Sequence, residues 1–449
     1  MTAAQLTAAF ASGQLSPVEA TAAALDRAEA INPRYNAFTH IDRQGAMAAA
    51  RASEARWRAG APLSEADGVP TTLKDIVWIK DRPVRYGSAT TPDAPMQEDA
   101  PAVARLRGAG CVFIGQTTTP EFGWKAVTDS PVYGITRNPW NPDKTPGGSS
   151  GGAAVAAATG AGVFHLGTDG GGSIRIPAAF TGIAGLKPSF GRVPAYPASA
   201  FGTVAHLGPM ARTAGDLRVM LAAMSGHDPR DWYQGAAVLP SLAPPPVALA
   251  GLRIGHWSRP PSGQVAPEVA ALVEAALRRI ADQGAEVAPV DLPPEDDLLG
   301  LFHLHWFTGA AARLAQVPEA LRDGLDPGFQ AIARAGAEVR ATALVAAQSR
   351  RLAFGIGMDR LLAQQDVIIS PAVTIPAFAA GREVPEGSGM TRWTEWAGFS
   401  YPVNLSQQPA CVIPCGLASG LPVGLQIVGA RGDDARVLAI AALLEPLSR

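Results

Sequence analysis

Cysteine is scarce in this chain: Cys111, Cys411 and Cys415 are the only three among 449 residues. An odd, sparse set excludes a disulfide framework and a thiolate zinc site, and it fits a reducing compartment, so a cytoplasmic protein is expected. Cys411 and Cys415 fall in the apolar run CVIPCG and read as buried structural thiols. An excess of one charge is missing too. The 37 Lys and Arg stand against 39 Asp and Glu, scattered rather than blocked, for a formal net charge of -2. A nucleic-acid surface would need a basic stripe, and none is present. No apolar run reaches the ~20 residues of a membrane span. The N-terminal MTAAQLTAAFASGQLSP lacks the basic start and continuous apolar core of a signal peptide. No GK[ST] follows a glycine loop and no GxGxxG opens a helix, which excludes phosphate-loop and dinucleotide fingerprints. Seven histidines include no HExxH, so neither a metal nor a cofactor is expected.

What is present is a large apolar fraction, 47%, enough for a sizeable core. The N-terminal segment reads as a helix broken at Gly13 and restarted after Ser16-Pro17, a cap followed by Pro at the first helical position. Helical patterning covers 17–31 and 43–58. After Gly68 the style changes to short apolar runs between Gly and Pro turns. VPTTLKDIVWI (69–79), CVFIGQT (111–117) and VFHLGTD (163–169) read as strands, with helices at 99–109 and 149–162. Further on come LRIGHW (252–257) and a helix with Val269, Leu272, Val273, Ala276, Leu277 and Ile280 on one stripe, ended by Gly284. AEVAPVDL, DVIISPAV (366–373), PACVIPCG and LPVGLQIVG read as late strands, closed by a C-terminal helix. The recurring order strand, helix, strand predicts an α/β/α layered protein with a mostly buried sheet. The proline-rich interval 238–247 (VLPSLAPPPV) reads as a surface loop within one domain of residues 1–449. That domain divides into an N-terminal helical segment (1–60), a catalytic core (61–230), a variable substrate-pocket region (231–400) and C-terminal strands and helix (401–449).

Two glycine-framed serine segments carry the chemistry: PGGSSGG (146–152) and GGGSIR (170–175). Taken singly, each could be a turn followed by a helix cap. A third segment changes their weight. Lys74 sits in GVPTTLKDIVW, among residues that read as a buried strand, although Lys74-Asp75 could also be an ordinary exposed pair. A buried lysine has its pKa lowered by desolvation, and a neutral amine can replace histidine as the base that activates a serine.

Together GVPTTLKD, PGGSSGGAAVAAATG and LGTDGGGSIRIPAAFTGIAGLKPSFGRVP resemble the amidase signature family, serine hydrolases of carboxamides. The resemblance extends through TTTPEFGWKAVTDSPVYG, GPMART and NLSQQPACVIPCG, and is weakest between about 230 and 400. It implies a three-layer α/β/α fold with a large mixed central sheet covered by helices on both faces. It implies Ser173 as nucleophile, Ser149 on a cis peptide bond as proton relay, and Lys74 as general base. Gly170, Gly171, Gly172 and Ser173 would supply the oxyanion hole, at a helix N-terminus. Ser150 and Thr168 would support the loops, and Asp169 and Arg175, which bracket the nucleophile, would form an ion pair or hold the loop. For the acyl pocket the expected lining is Gly123, Trp124, Phe302, His305, Trp306, Trp393 and Trp396. Trp124, in EFGWK, matches a position that lines the acyl site in relatives. His303 and His305 could share one face of a strand but not of a helix, and a structural role stays open for both. The implied partner is a small-molecule amide, with no nucleic acid and no membrane, and a homodimer is a further possibility the resemblance raises. The alternative within the family is the glutamine-hydrolysing subunit of a tRNA-dependent amidotransferase. Such subunits carry an acidic residue before the PxNL motif, and here that position is Ala397.

Overall fold

The computed structural model describes residues 1–234 and 240–448. Eleven strands form one sheet, and two more, β4 (Asp129–Ser130) and β5 (Gly134–Ile135), form a small hairpin beside it. The sheet strands are β1 (Phe38–Ile41), β2 (Pro70–Lys74), β3 (Val112–Thr117), β6 (Phe164–Asp169), β7 (Ala184–Lys187), β8 (His206–Ala211), β9 (Arg253–His256), β10 (Glu286–Pro289), β11 (Val367–Pro371), β12 (Ala410–Ala418) and β13 (Leu421–Val428). Their order across the sheet is β1-β3-β2-β6-β8-β7-β12-β13-β11-β9-β10. The sheet is mixed: β2 lies parallel to β3 and to β6, whereas β6 and β8 run antiparallel, as do β12 and β13.

Helices cover both faces, and the strands show why. Cys411, Ile413, Ile369 and Ile427 pack into one apolar core, while their neighbours Ala410, Val412, Ile368 and Val428 pack into another. Side chains alternate across a strand, so a sheet buried on both faces needs apolar residues at consecutive positions. The stripe predicted on the helix Pro267–Ala281 buries Val269, Val273, Ala276, Leu277 and Ile280. At the N-terminus the break occurs at Gly13, with φ 71°, and Ser16 accepts from the Glu19 amide while Glu19 accepts from that of Ser16. Residues 238 and 239 of the proline-rich interval lie outside the described residues. The rest, 240–247, is coil on the surface, and strands from both sides of it enter the same sheet.

Two sequence expectations need correction. The strand expected over 69–79 ends at Lys74, because the amides of Ile76 and Val77 turn back onto the Lys74 carbonyl at 2.7 and 3.0 Å. The turn leaves Lys74 at the strand's carboxyl end, where α/β sheets form their clefts. The segment LFHLHWF belongs to the helix Leu298–Ala315, capped by Asp297. Leu298, Phe302, Trp306 and Ala310 repeat every four residues on its buried face. His303 and His305 therefore point in different directions.

Candidate active site

The parallel pairing of β2 with β6 sets the carboxyl ends of both strands side by side. Lys74 ends β2 and Asp169 ends β6. The serine segments follow the same logic: PGGSSGG runs into the helix Gly151–Thr159, and GGGSIR into the helix Arg175–Thr181. A hydrogen bond of 3.0 Å from the Ser150 amide to the Ser173 carbonyl ties the two loops together.

Lys74 and Asp75 are both buried, and they are not a pair. The Asp75 carboxylate accepts from the Arg85 amide at 3.0 Å, and burial pushes its pKa up to about 6. Lys74 Nζ lies 2.6 Å from Ser149 Oγ, 2.8 Å from Thr168 Oγ1 and 3.0 Å from Ser150 Oγ. No carboxylate touches it among the described residues. Burial lowers its pKa well below the ordinary lysine value, and the nearby Asp169 charge opposes that only in part. The three hydroxyl contacts accommodate a neutral amine as well as an ammonium. Ser150 Oγ–H donates to the Thr168 carbonyl at 3.2 Å, so its oxygen can only accept from Lys74. A neutral amine then donates to Ser150 and Thr168 and keeps a lone pair for the Ser149 hydroxyl.

The Gly148–Ser149 peptide bond is cis. The loop packs tightly there: a methyl group on Gly148 would sit 2.5 Å from the Val127 carbonyl carbon and oxygen. Ser149 and Ser173 line one cavity of about 410 Å³, together with Thr168 and Gly170. That size lies in the usual range for small-molecule sites. Ser173 Oγ makes no hydrogen bond among the described residues, so the contact between the two serines is not closed.

Asp169 and Arg175 form an ion pair with both side chains fully buried and an N···O distance of 2.9 Å. Arg175 also donates to Gln426 Oε1 at 2.7 Å and Asn404 Oδ1 at 2.6 Å. Burial alone would raise the Asp169 carboxyl; the Arg175 charge and hydrogen bonds outweigh it and hold it below the carboxylate range. Asp169 accepts the amides of Gly172 at 2.9 Å and Ile174 at 3.2 Å, which fixes the loop around Ser173. This removes Gly172 from the expected set of free oxyanion donors, since its N–H is already taken. The amides of Gly170, Gly171 and Ser173 have no acceptor among the described residues.

The expected pocket divides. Gly123 and Trp306 line the cavity. Phe302 and Trp393 do not: they pack behind the glycine loop, where a methyl on Gly171 would meet Trp393 at 2.6 Å and Phe302 at 2.9 Å. Trp124 is buried a layer deeper, its carbonyl accepting the Trp306 indole N–H at 3.0 Å. Trp396 sits in the core between Phe180 and Phe378, ring centroids 5.9 and 5.4 Å away. His305 faces a separate surface groove and bonds the Leu301 carbonyl one turn back at 2.9 Å. His303 bonds Thr394 Oγ1 at 2.9 Å. Sequence reasoning missed Tyr86, Phe122, His206 and Arg313 on the cavity wall, and the 195–201 loop at its rim. It also missed the roles of Asn404 and Gln426, although both stand in segments legible in the sequence, NLSQQP as a motif and GLQIVG as a strand.

Among the described residues there is no cluster of His, Cys, Asp or Glu fit for a metal, and no helix long and apolar enough to cross a membrane. The family model described as Amidase matches residues 19–438. One of the glutamyl-tRNA(Gln) amidotransferase subunits of Chloroflexus aggregans is 34% identical, over 96% of this chain and 93% of its own. Among solved structures, a bacterial aryl acylamidase of the amidase signature family superposes with a TM-score of 0.90 at 28% identity, covering 100% of this chain and 96% of that one. An amidase superposes with a TM-score of 0.89 at 30% identity, each chain covered in full.

Proposed function

The chain belongs to the amidase signature family, enzymes that hydrolyse carbon–nitrogen amide bonds, and on that premise we propose that it is a stand-alone amidase acting through an acyl-enzyme on Ser173. Its substrate is a small carboxamide, cleaved to a carboxylate and ammonia or an amine. The observation that carries this reading is the buried Lys74, in contact with three hydroxyls and, among the described residues, no carboxylate, directly behind Ser149 and Thr168, which line the cavity that holds Ser173.

The neutral Lys74 amine takes the Ser149 proton across their 2.6 Å contact, and Ser149 takes that of Ser173 once the Ser173 hydroxyl turns toward it. Ser173 Oγ attacks the amide carbonyl, and the negative charge settles on the carbonyl oxygen. The free amides of Gly170, Gly171 and Ser173 stabilise it; removing one such donor typically costs ~10²–10³ in rate. The proton returns through Ser149 to the leaving nitrogen, the C–N bond breaks, and the amine departs. Water then attacks the ester, the same relay accepts its proton, and Ser173 is released with the carboxylate product. Three buried, unpaired thiols support a reducing, cytoplasmic setting.

A second reading, the glutamine-hydrolysing component of an amidotransferase, is favoured by the printed name of the curated relative. Against it, the corresponding position in the segment upstream of Pro402-Val403-Asn404-Leu405 is Ala397, which carries no carboxylate for an amino group and is buried away from the cavity. One experiment separates the two. Ammonia release from a panel of primary amides, anilides and L-glutamine is measured with the isolated wild type and Ser173→Ala. Turnover of simple amides that S173A abolishes, with an acyl adduct on Ser173 in the quenched wild type, supports the stand-alone amidase. Turnover of glutamine alone transfers the chain to the second reading, and unchanged turnover by S173A sinks the nucleophile assignment.

A further inference from the structure

Arg313, on the helix Leu298–Ala315, is a cation on the wall of the cavity that holds Ser173. Its guanidinium lies over two aromatic rings, 4.4 Å from the Phe122 centroid and 5.4 Å from that of Tyr86. Both aromatic residues have left-handed backbones, φ 52° at Phe122 and 56° at Tyr86. Bulky residues adopt that region rarely, and only where the surrounding structure holds them in it. Here a 2.7 Å hydrogen bond from the Phe122 amide to the Tyr86 carbonyl couples the two residues, and Asp75 anchors the turn before them.

Stacking occupies the faces of a guanidinium and leaves its edge N–H groups for in-plane acceptors. Of these, Nη1 donates to Gln316 Oε1 at 3.1 Å. Nε–H is buried with no acceptor, and Nη2 has none among the described residues. Among the described residues, the one carboxylate whose charge reaches Arg313 is Glu121, which forms no ion pair with it and accepts the Asp326 amide instead. On Arg56 and Arg175 the same Nε–Nη2 edge is occupied by a carboxylate, Asp67 and Asp169, whereas Arg85 and Arg105, away from this cavity wall, share the buried Nε–H without an acceptor among the described residues. Of this edge on Arg313 the Nε–H is buried without a partner among the described residues, which costs free energy, and the Nη2 N–H groups are open to an acceptor in the cavity.

We propose that Arg313 selects amides bearing a carboxylate away from the scissile bond, with Tyr86 and Phe122 holding the guanidinium in place. This rests on the amidase reading and narrows its substrate class. In the complex the carboxylate takes the donors the protein leaves free, and the apolar wall takes the connecting methylenes. The contact is to the substrate's recognition group rather than to the reacting atoms, so Arg313 determines specificity and moves no proton.

The test measures kcat/KM for paired substrates of equal length. One series has carboxylate-terminated primary amides (succinamate, glutaramate, adipamate) against the unsubstituted alkyl amides, and a second places the carboxylate on the leaving amine of N-acyl amino acids against N-acyl alkylamines. Wild type should prefer the carboxylate member of at least one series by about tenfold or more, and Arg313→Gln should erase that ratio. Glutarate or adipate should raise the melting temperature of wild type and not of R313Q, a readout independent of turnover. Hydrolysis of neutral amides with no carboxylate preference in either series overturns the Arg313 assignment and leaves the amidase reading intact. A ratio unchanged in R313Q also overturns it. Loss of turnover toward every amide, with glutarate or adipate still stabilising wild type alone, would defeat the amidase reading while the anion site stood. The wild-type ratio needs no variant, so the test survives if R313Q does not fold.

Discussion

Replacing Arg175 with Met tests whether the buried ion pair is what holds the Ser173 loop. The substitution removes two bonds to Asp169, at 3.0 and 2.9 Å, and one each to Gln426 and Asn404. The NH2 groups of Gln426 and Asn404 keep their acceptors while their carbonyl oxygens lose a donor each, so the dominant loss is the charge left on Asp169. Breaking one partner from a buried pair costs about 3–5 kcal/mol. With an unfolding entropy of about 2.1 cal/mol/K per residue, a loss near 4 kcal/mol lowers Tm by about 4 °C in a chain this long. Asp169 also accepts the Gly172 and Ile174 amides, so a displaced carboxylate displaces Ser173. A misplacement of about 1 Å costs ~10²-fold in rate.

The sign of the pH dependence makes this sharper. In wild type the carboxyl of Asp169 is held below its ordinary 3.8, so its stabilisation is present above that value and lost as pH falls through the folded pKa. Without Arg175, burial is the leading influence and raises the carboxyl. Stability of R175M should then fall as pH rises through the raised value, so the variant loses less at pH 5 than at pH 8. Calorimetric melting across that range, with kcat/KM from ammonia release, checks both parts. The double variant D169N/R175M leaves no unpaired charge and should recover about 2 kcal/mol or more of the single variant's loss. A loss below about 1 kcal/mol in R175M, or a double variant no more stable than the single one, would refute the reasoning.

Lys74→Met should lower kcat/KM by about 10²–10⁴, the usual worth of a positioned base. In wild type, kcat/KM should fall on acidification through a pKa well below 10.5, because burial lowers the Lys74 value and only the neutral amine serves; an acid limb near 10.5 contradicts this. Gly148→Ala places a methyl 2.5 Å from the Val127 backbone, which cannot swing aside as a side-chain tip could, so a loss of about 1–3 kcal/mol in thermal or urea unfolding is expected. The three cysteines are buried, and burial pushes the Cys111 and Cys415 thiols up to about 12. A thiol-reactive disulfide reagent should therefore leave the native protein untouched and titrate three thiols after unfolding in guanidinium, and rapid native labelling would contradict their burial.

The sequence by itself determined the local chemistry: a lysine in an apolar strand, two glycine-framed serines, and the strand and helix order that carries them to one sheet edge. These are short-range properties, since glycines permit close approach, Ser16 caps its helix, and apolar residues at consecutive positions bury both faces of the sheet. The C-terminal strands and the stripe on Pro267–Ala281 were legible for the same reason. Tertiary structure decided everything that depends on which residues meet across the chain. Phe302 and Trp393 belong to the expected pocket lining, but the helix Leu298–Ala315 and the fold around it set them behind the glycine loop, and the same helical period sends His305 to another groove. The Gly172 amide looks free in sequence and is spent on Asp169, three residues away along the chain but folded back over the loop. Arg313 lies in a region without motifs, and nothing local sets it apart from any surface arginine. Only the packing of Tyr86 and Phe122 beneath it, from segments about 200 residues earlier, makes it a charge facing the cavity that holds Ser173.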